Sequence, residues 1–372
     1  MQRLPVLWLC GPPGAGKTTA GWEIYSGLRR AGVPAGYADI DQLGMCYPEP
    51  ASDPGRYHLK ARNLAAVLAG HRAAGVRCAV VSGVLDATGR VPVGDLPGAA
   101  VTVCRLRAGA DDLARRITER DGAGTELPPV LREAAALDAG CIGDVCVDTT
   151  GLPVAEVVRR IRQRLGDWPG PLPAGPVAPA PPPGPDPGCA PPVLWLCGVT
   201  GVGKSTAGFL AYQRALRAGL SAAYLDLDQL GFGADGHRVK ARNAAAVWRN
   251  FRQAGARLLV MTGPAADAEA VAAYAEALPP GTLTVCRLHA GRDELTRRIL
   301  SRGRGGSWSQ PGDPLVGRPV PDLLRVAARA ARDAAAQDRA GLGHRVDTDG
   351  RTAAEVAEAV VRECAAVIPS AR

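Results

Sequence analysis

Lysine is nearly missing from this chain. Of its 44 basic residues only four are lysine, at positions 17, 60, 204 and 240. Aromatic side chains are also scarce, at 4 % of the 372 residues, and no basic cluster is interleaved with them. A nucleic-acid surface built on stacking therefore finds no support, although the net charge is +8. Arginines that handle phosphates, together with solvated helix faces, account for that charge. Long apolar runs are missing too. The run from Val6 to Cys10 is five residues long and ends in a glycine loop. It has no small-residue cleavage site, so it does not read as a secretory leader, and nothing is long enough to cross a membrane. Ten cysteines occur without C-x-x-C spacing, several in strand-like runs (Cys10, Cys104, Cys197, Cys286). That pattern favours buried reduced thiols over zinc ligands or disulfides. The expectation is a cytoplasmic protein with neither a membrane nor a nucleic acid as partner.

What is present is one unit written twice. VLWLCGPPGAGKTTAG (6–21) recurs as VLWLCGVTGVGKSTAG (193–208), YADIDQLG (37–44) as YLDLDQLG (224–231), and KARNLAAV (60–67) as KARNAAAV (240–247). TVCRLRAG (102–109) recurs as TVCRLHAG (284–291), and VDTTG (147–151) as VDTDG (346–350). Such self-similarity marks an internal duplication. Residues 169–192 between the copies are dense in proline, which cannot donate backbone hydrogen bonds or hold a helix. The domains are therefore 1–168 and 193–372, joined by a proline-rich linker at 169–192. Strands are expected near 6–10, 36–40, 78–82, 101–106 and 145–148, and near 193–197, 222–226, 257–262, 282–288 and 344–347, with helices between them. Alternation of this kind predicts an α/β fold: two tandem domains, each a parallel five-stranded sheet with helices on both faces. Ligands then belong at the carboxyl ends of the strands.

Gly11 to Thr18 and Gly198 to Ser205 fit G-x-x-x-x-G-K-[ST]. Gly11, Gly14 and Gly16, with Gly198, Gly201 and Gly203, let backbone N–H groups curl around a phosphate, and the helix that follows adds the positive end of its dipole. Lys17 and Lys204 are compact charges for the β- and γ-phosphates, where arginine's fork would not fit. Thr18 and Ser205 offer a hydroxyl to Mg²⁺, with Thr19 and Thr206 beside them. ATP and Mg²⁺ are the implied ligands. An acidic residue after the third strand, which a hydrolysing motor would use, is missing: the chain reads Val81-Ser82-Gly83 and Met261-Thr262-Gly263. The carboxylates are expected at the end of the second strand instead. Asp41 and Asp228 are the candidates for base and magnesium ligand, and Asp39 and Asp226 for acceptor contacts. Simple helix capping by one member of each pair stays open.

With these words in hand, each half resembles the small P-loop metabolite kinases, such as adenylylsulfate, gluconate and shikimate kinases. D-I-D-Q is similar to the D-x-D-N word of the adenylylsulfate kinases. Arg62-Asn63 and Arg242-Asn243 resemble their substrate-contacting pair. The resemblance implies that Arg116 and Arg120, with Arg298 and Arg302, close over the phosphates from a mobile lid, and that Asp148 and Thr149 border the adenine. A surface helix and a plain strand-to-helix turn are the alternatives. Lys60 and Lys240 are lysines kept in a chain that otherwise writes arginine, at the start of a helix on the ligand edge. They are read as cations for an anionic acceptor. The functional expectation is transfer of the ATP γ-phosphate to a small hydroxylated, anionic acceptor. An ATP-binding regulatory module and a nucleic-acid end kinase are the alternatives.

Overall fold

The computed structural model describes residues 3–364 apart from 86–92, 123–125, 141, 174, 176–189, 235 and 306–312. In the N-terminal half the elements are β1 (Leu4–Cys10), α1 (Lys17–Arg30), β2 (Ala35–Asp39), β3 (Cys46–Tyr47), α2 (Tyr57–Ala73), β4 (Cys78–Ser82), β5 (Ala99–Arg107), α3 (Ala110–Asp121), α4 (Leu127–Ala139), β6 (Val145–Asp148) and α5 (Val154–Leu165). The C-terminal half supplies β7 (Val193–Cys197), α6 (Lys204–Arg217), β8 (Ala222–Asp226), α7 (His237–Gln253), β9 (Leu258–Thr262), α8 (Ala268–Ala277), β10 (Leu283–His289), α9 (Arg292–Gly303), α10 (Val320–Arg339), β11 (His344–Asp347) and α11 (Ala353–Glu363).

The first sheet has the order β2-β4-β1-β5-β6, all parallel. Its central strand β1 is buried on both faces, which is why it reads as a continuous apolar run instead of an alternating one. Leu7 and Leu9 point into a core with Ala20, Ile24, Cys104 and Leu106, all 3 % exposed or less. Burial of each such Leu contributes about 1.5–3 kcal/mol. The strands fall within a residue or two of those expected from sequence.

The second sheet departs from expectation. Its order is β11-β10-β7-β9-β8-β3, and the sixth strand, β3, runs antiparallel to β8. It comes from the N-terminal half. The first compact unit accordingly comprises Met1–Gly44, Asp53–Ala180 and Gly231–Ala234, and the second Met45–Ser52, Pro181–Leu230 and Asp235–Arg372. The expectation of five parallel strands therefore fits the first sheet and is corrected for the second. An edge strand with unpaired N–H and C=O groups invites such an addition, and the loop after D-Q-L-G supplies it. Periodicity cannot show this, because the segment is two residues of strand.

Most of the proline-rich stretch lies outside the described residues. Its described start is tied down, since Arg77 donates from Nε to Pro173 O (2.6 Å) and from Nη2 to Leu172 O (3.3 Å). The mobile lids are expected in the glycine- and proline-rich stretches that follow Arg120 and Arg302, of which 123–125 and 306–312 lie outside the described residues. Among the described residues no helix is long and apolar enough to cross a membrane. The described cysteines are free thiols, all buried except Cys146.

Gly11 shows how tightly the first unit closes around its loop. Its φ is +138°, and a Cβ there would stand 2.1 Å from Leu106 O. Gly11→Ala is expected to lower the thermal stability of the first unit by about 2 kcal/mol or more, measured by calorimetry. Gly94→Ala, where a Cβ meets nothing within 4 Å, is expected to change nothing.

Candidate functional site

In each unit the glycine loop joins the central strand to the helix behind it, β1 to α1 and β7 to α6. Gly11, Gly14 and Gly16 all have positive φ, as do Gly198, Gly201 and Gly203. Neither helix has a side-chain cap or an acidic residue in its first turn. Its leading N–H groups are thus left for an anion, which is what a phosphate needs. The residues present fit a nucleotide phosphate on that ground. Lys17, 9 % exposed, folds over the loop and donates to Gly11 O (2.8 Å) and Pro12 O (2.9 Å). Lys204 donates to Val199 O at 2.8 Å. Burial lowers the pKa of both ammonium groups, with the carboxylates of the D-x-D words opposing the shift. Thr19 and Thr206 are exposed in the first helical turn.

The strand-end carboxylates separate into two jobs. Asp39 lies against the loop's hydroxyl, with Thr18 Oγ1 donating to its Oδ2 at 3.4 Å. Ser205 Oγ donates to Asp226 Oδ2 at 3.1 Å. Asp39 also accepts from Ser82 Oγ (3.2 Å) and from the backbone N–H of Asp41 (3.0 Å). Asp226 accepts the N–H of Asp228 at 3.0 Å. A hydroxyl beside a buried carboxylate is the donor set for Mg²⁺. The structure therefore puts Asp39 and Asp226 beside Thr18 and Ser205, in the place expected for Asp41 and Asp228. The reason is the strand register. Asp39 stands opposite Ser82 and Asp226 opposite Thr262, so the last strand residue points inward and the residue two further on has left the sheet.

Asp41 and Asp228 sit half-exposed beyond the strand and meet the K-A-R-N lysines. Lys60 Nζ lies 3.1 Å from Asp41 Oδ1, and Lys240 Nζ 3.0 Å from Asp228 Oδ1. Lys60 is 7 % exposed. Its stem crosses Gly44, where a Cβ would fall 2.6 Å from Lys60 Cε, and its ammonium lies 5.5 Å from the centroid of the Tyr57 ring. The lysine stem thus lies flat on Gly44 and carries the ammonium to Asp41.

The residues that follow these lysines are placed differently from them. Asn63 is fully buried and donates from Nδ2 to Leu43 O (2.7 Å). Asn243 does the same to Leu230 O (2.9 Å). Both pin the turn that follows D-x-D instead of meeting an acceptor, which corrects the substrate-binding expectation for them. Arg62 and Arg242 lie on the exposed side of their helices.

The arginines of α3 and α9 also divide. Arg116 donates to Gly14 O (3.2 Å), to Thr149 Oγ1 (3.1 Å) and to Thr149 O (2.7 Å). Arg298 bonds Val202 O, Thr348 Oγ1 and Thr348 O in the same way. Each therefore braces the glycine loop against the loop after the last strand. Thr149, 1 % exposed, is part of that brace, and Thr348 is its counterpart that sequence comparison alone passed over. Asp148 caps its own turn by accepting from Thr150 N (2.9 Å) and Thr150 Oγ1 (2.6 Å). Arg120 is exposed on α3. Arg302 is tied to Asp313 at 2.6 Å. Ser82 and Thr262 stand where a hydrolysing motor would carry its carboxylate. They bond the Tyr hydroxyls of the second strands, Tyr37 at 2.7 Å and Tyr224 at 3.0 Å. The repeated Y-x-D word was the signal for them.

Burial, and then Asp41, push the Asp39 carboxyl up to about 6. Below that pH Asp39 holds a proton that a bound cation must displace. The affinity of the first unit for magnesium-nucleotide should therefore rise about tenfold per pH unit up to about 6 and level off above it. The unliganded unit should lose stability over the same interval, because the raised folded-state pKa makes ionisation costlier than in the unfolded chain. Nucleotide titrations of Lys204→Ala protein on either side of that pH measure the first effect. Asp39→Asn should flatten the profile, and an unchanged profile in that variant would contradict the assignment.

No protein-family model matches the chain, and no curated protein sequence matches it. Solved structures do. The tunicamycin resistance protein of Deinococcus radiodurans is 16 % identical, with a TM-score of 0.31 over 47 % of this chain and 95 % of that one. A gluconokinase from Sinorhizobium meliloti is 21 % identical, with a TM-score of 0.31 over 44 % and 93 %. The APS kinase of Mycobacterium tuberculosis is 18 % identical, with a TM-score of 0.31 over 48 % and 99 %. The last two are small-molecule kinases, the group that the sequence resembles. At such identities and TM-scores, function has to be read from the site itself.

Proposed function

We propose that this chain is an ATP-dependent phosphotransferase acting on a small hydroxylated, anionic acceptor. One observation carries this reading. At the carboxyl ends of the same strands, both units gather a phosphate-type lysine, a hydroxyl–carboxylate pair and a second carboxylate paired to a further lysine, buried in the first unit and partly exposed in the second. Magnesium-ATP, when bound, supplies an activated phosphoryl group whose charge the metal helps to neutralise. Lys17 and the leading N–H groups of α1 bind phosphate oxygens. Thr18 and Asp39 hold the metal, and Arg116 keeps the loop from shifting. Asp41 reaches solvent and takes the proton of the acceptor hydroxyl. Lys60 fixes the Asp41 carboxylate through one of its three N–H donors and offers the others to an anionic group on the acceptor. Lys204, Ser205, Asp226, Asp228 and Lys240 take the same parts in the second unit. Rate enhancement on this reading is positioning and electrostatics, with no covalent intermediate on the protein.

A second reading, in which the C-terminal unit holds nucleotide as a regulator, draws on one contact. Arg302 is occupied by Asp313, whose side chain is 3 % exposed. A lid arginine so engaged does not reach a phosphate.

The test is incubation with γ-labelled ATP, Mg²⁺ and a small-metabolite extract, followed by a search for label in a new compound. Lys17→Ala and Lys204→Ala should each cut the transfer of their own unit by about a hundredfold or more. The double variant should abolish it. Bound ATP without any labelled product would move the assignment to the regulatory reading. Lys60→Ala should lower kcat/KM for the acceptor about ten- to hundredfold while leaving nucleotide affinity unchanged.

A further inference from the structure

We propose that the two repeats of this chain are joined by a reciprocal exchange of the loop that follows D-x-D, and not by the proline-rich stretch between them. In the second unit, Tyr224 N donates to Met45 O at 2.8 Å, and Cys46 and Tyr47 pair with Ala223 and Ala222 as an added edge strand. Met45 packs on the second unit's core. In the first unit, Tyr37 N donates to Phe232 O at 3.1 Å. The Phe232 ring stands 4.9 Å from that of Trp22 and 5.8 Å from that of Tyr37.

The two arrangements use equivalent residues. Met45 and Phe232 each follow D-Q-L-G, and Tyr37 and Tyr224 each stand two residues before the buried aspartate. Donor and acceptor are thus the same in both, with the halves of the sequence interchanged. An exchange written into both copies is a property of the repeat. Each second strand is the outer strand of its own half's sheet. Strand addition supplies main-chain partners for such an edge, and the side chains give the specificity. The partner that fits each edge is the equivalent loop of the other repeat. Gly233 shows how closely the segment lies on its edge, because a Cβ there would stand 2.1 Å from Ala35 O. By this exchange the chain passes between the units after Gly44, Ser52, Leu230 and Ala234, in addition to the linker.

The experiment uses the full-length folded chain with a protease recognition sequence placed between Pro173 and Ala190. After cutting, the two fragments are run on a sizing column in native buffer. They are expected to co-elute at the volume of the uncut chain and to part only in denaturant. Fragments that elute separately in native buffer overturn the proposal. Gly233→Val in the cut chain is expected to weaken fragment association by at least about tenfold. Because that substitution strains the backbone, Phe232→Ala is measured alongside, with circular dichroism of the uncut variants as the check on folding. Fragments of both variants that stay together as tightly as the parent would also overturn it.

Discussion

A buried carboxylate at the end of the second strand is the constraint around which each unit is organised. Taking an ionised carboxyl out of water is costly unless it is paired and hydrogen-bonded. Asp39 meets that cost only in part, through two hydroxyls and one backbone N–H. Its raised pKa shows the shortfall. A divalent cation at the neighbouring Thr18 hydroxyl would remove it. The surrounding choices follow from this one. Ser82 ends β4 with a hydroxyl because it must donate to Asp39. Tyr37 lies on β2 where its own hydroxyl meets Ser82 at 2.7 Å. In the second unit Tyr224 meets Thr262 at 3.0 Å, and Asp226 accepts from Ser205 Oγ and the N–H of Asp228.

The second carboxylate of each word answers a different need. Outside the sheet, Asp41 stays half in solvent. Lys60 holds it in place. Asn63 fixes the turn between them by bonding Leu43 O. The proposed acceptor rests on this arrangement, a carboxylate with a fixed position and an accessible face next to a buried ammonium.

Much of this was legible in the sequence, and the parts that were not share a cause. The strands and glycine loops declare themselves because apolar runs and φ-positive glycines have few other uses. The duplication doubled every such signal. The division of labour within D-x-D was not legible, because it depends on which aspartate stands opposite Ser82, a matter of register between strands. The inward turn of Asn63 and the bracing role of Arg116 were hidden for a similar reason. Their partners, Leu43 O, Gly14 O and Thr149, are backbone atoms or residues remote in sequence. The exchange of Met45–Tyr47 and Phe232 is a choice between two chemically equivalent edges, and nothing in either copy alone distinguishes them.

The claim on which the account depends is that the strand-end aspartates, not those two residues later, hold the metal. Manganese in place of magnesium, with a non-hydrolysable ATP analogue, can be counted on the protein by electron paramagnetic resonance. Two bound ions are expected per chain. One should be lost in Asp39→Asn, one in Asp226→Asn and both in the double variant, while Asp41→Asn and Asp228→Asn keep both. Loss of manganese in the Asp41 and Asp228 variants, with retention in the Asp39 and Asp226 variants, would contradict it.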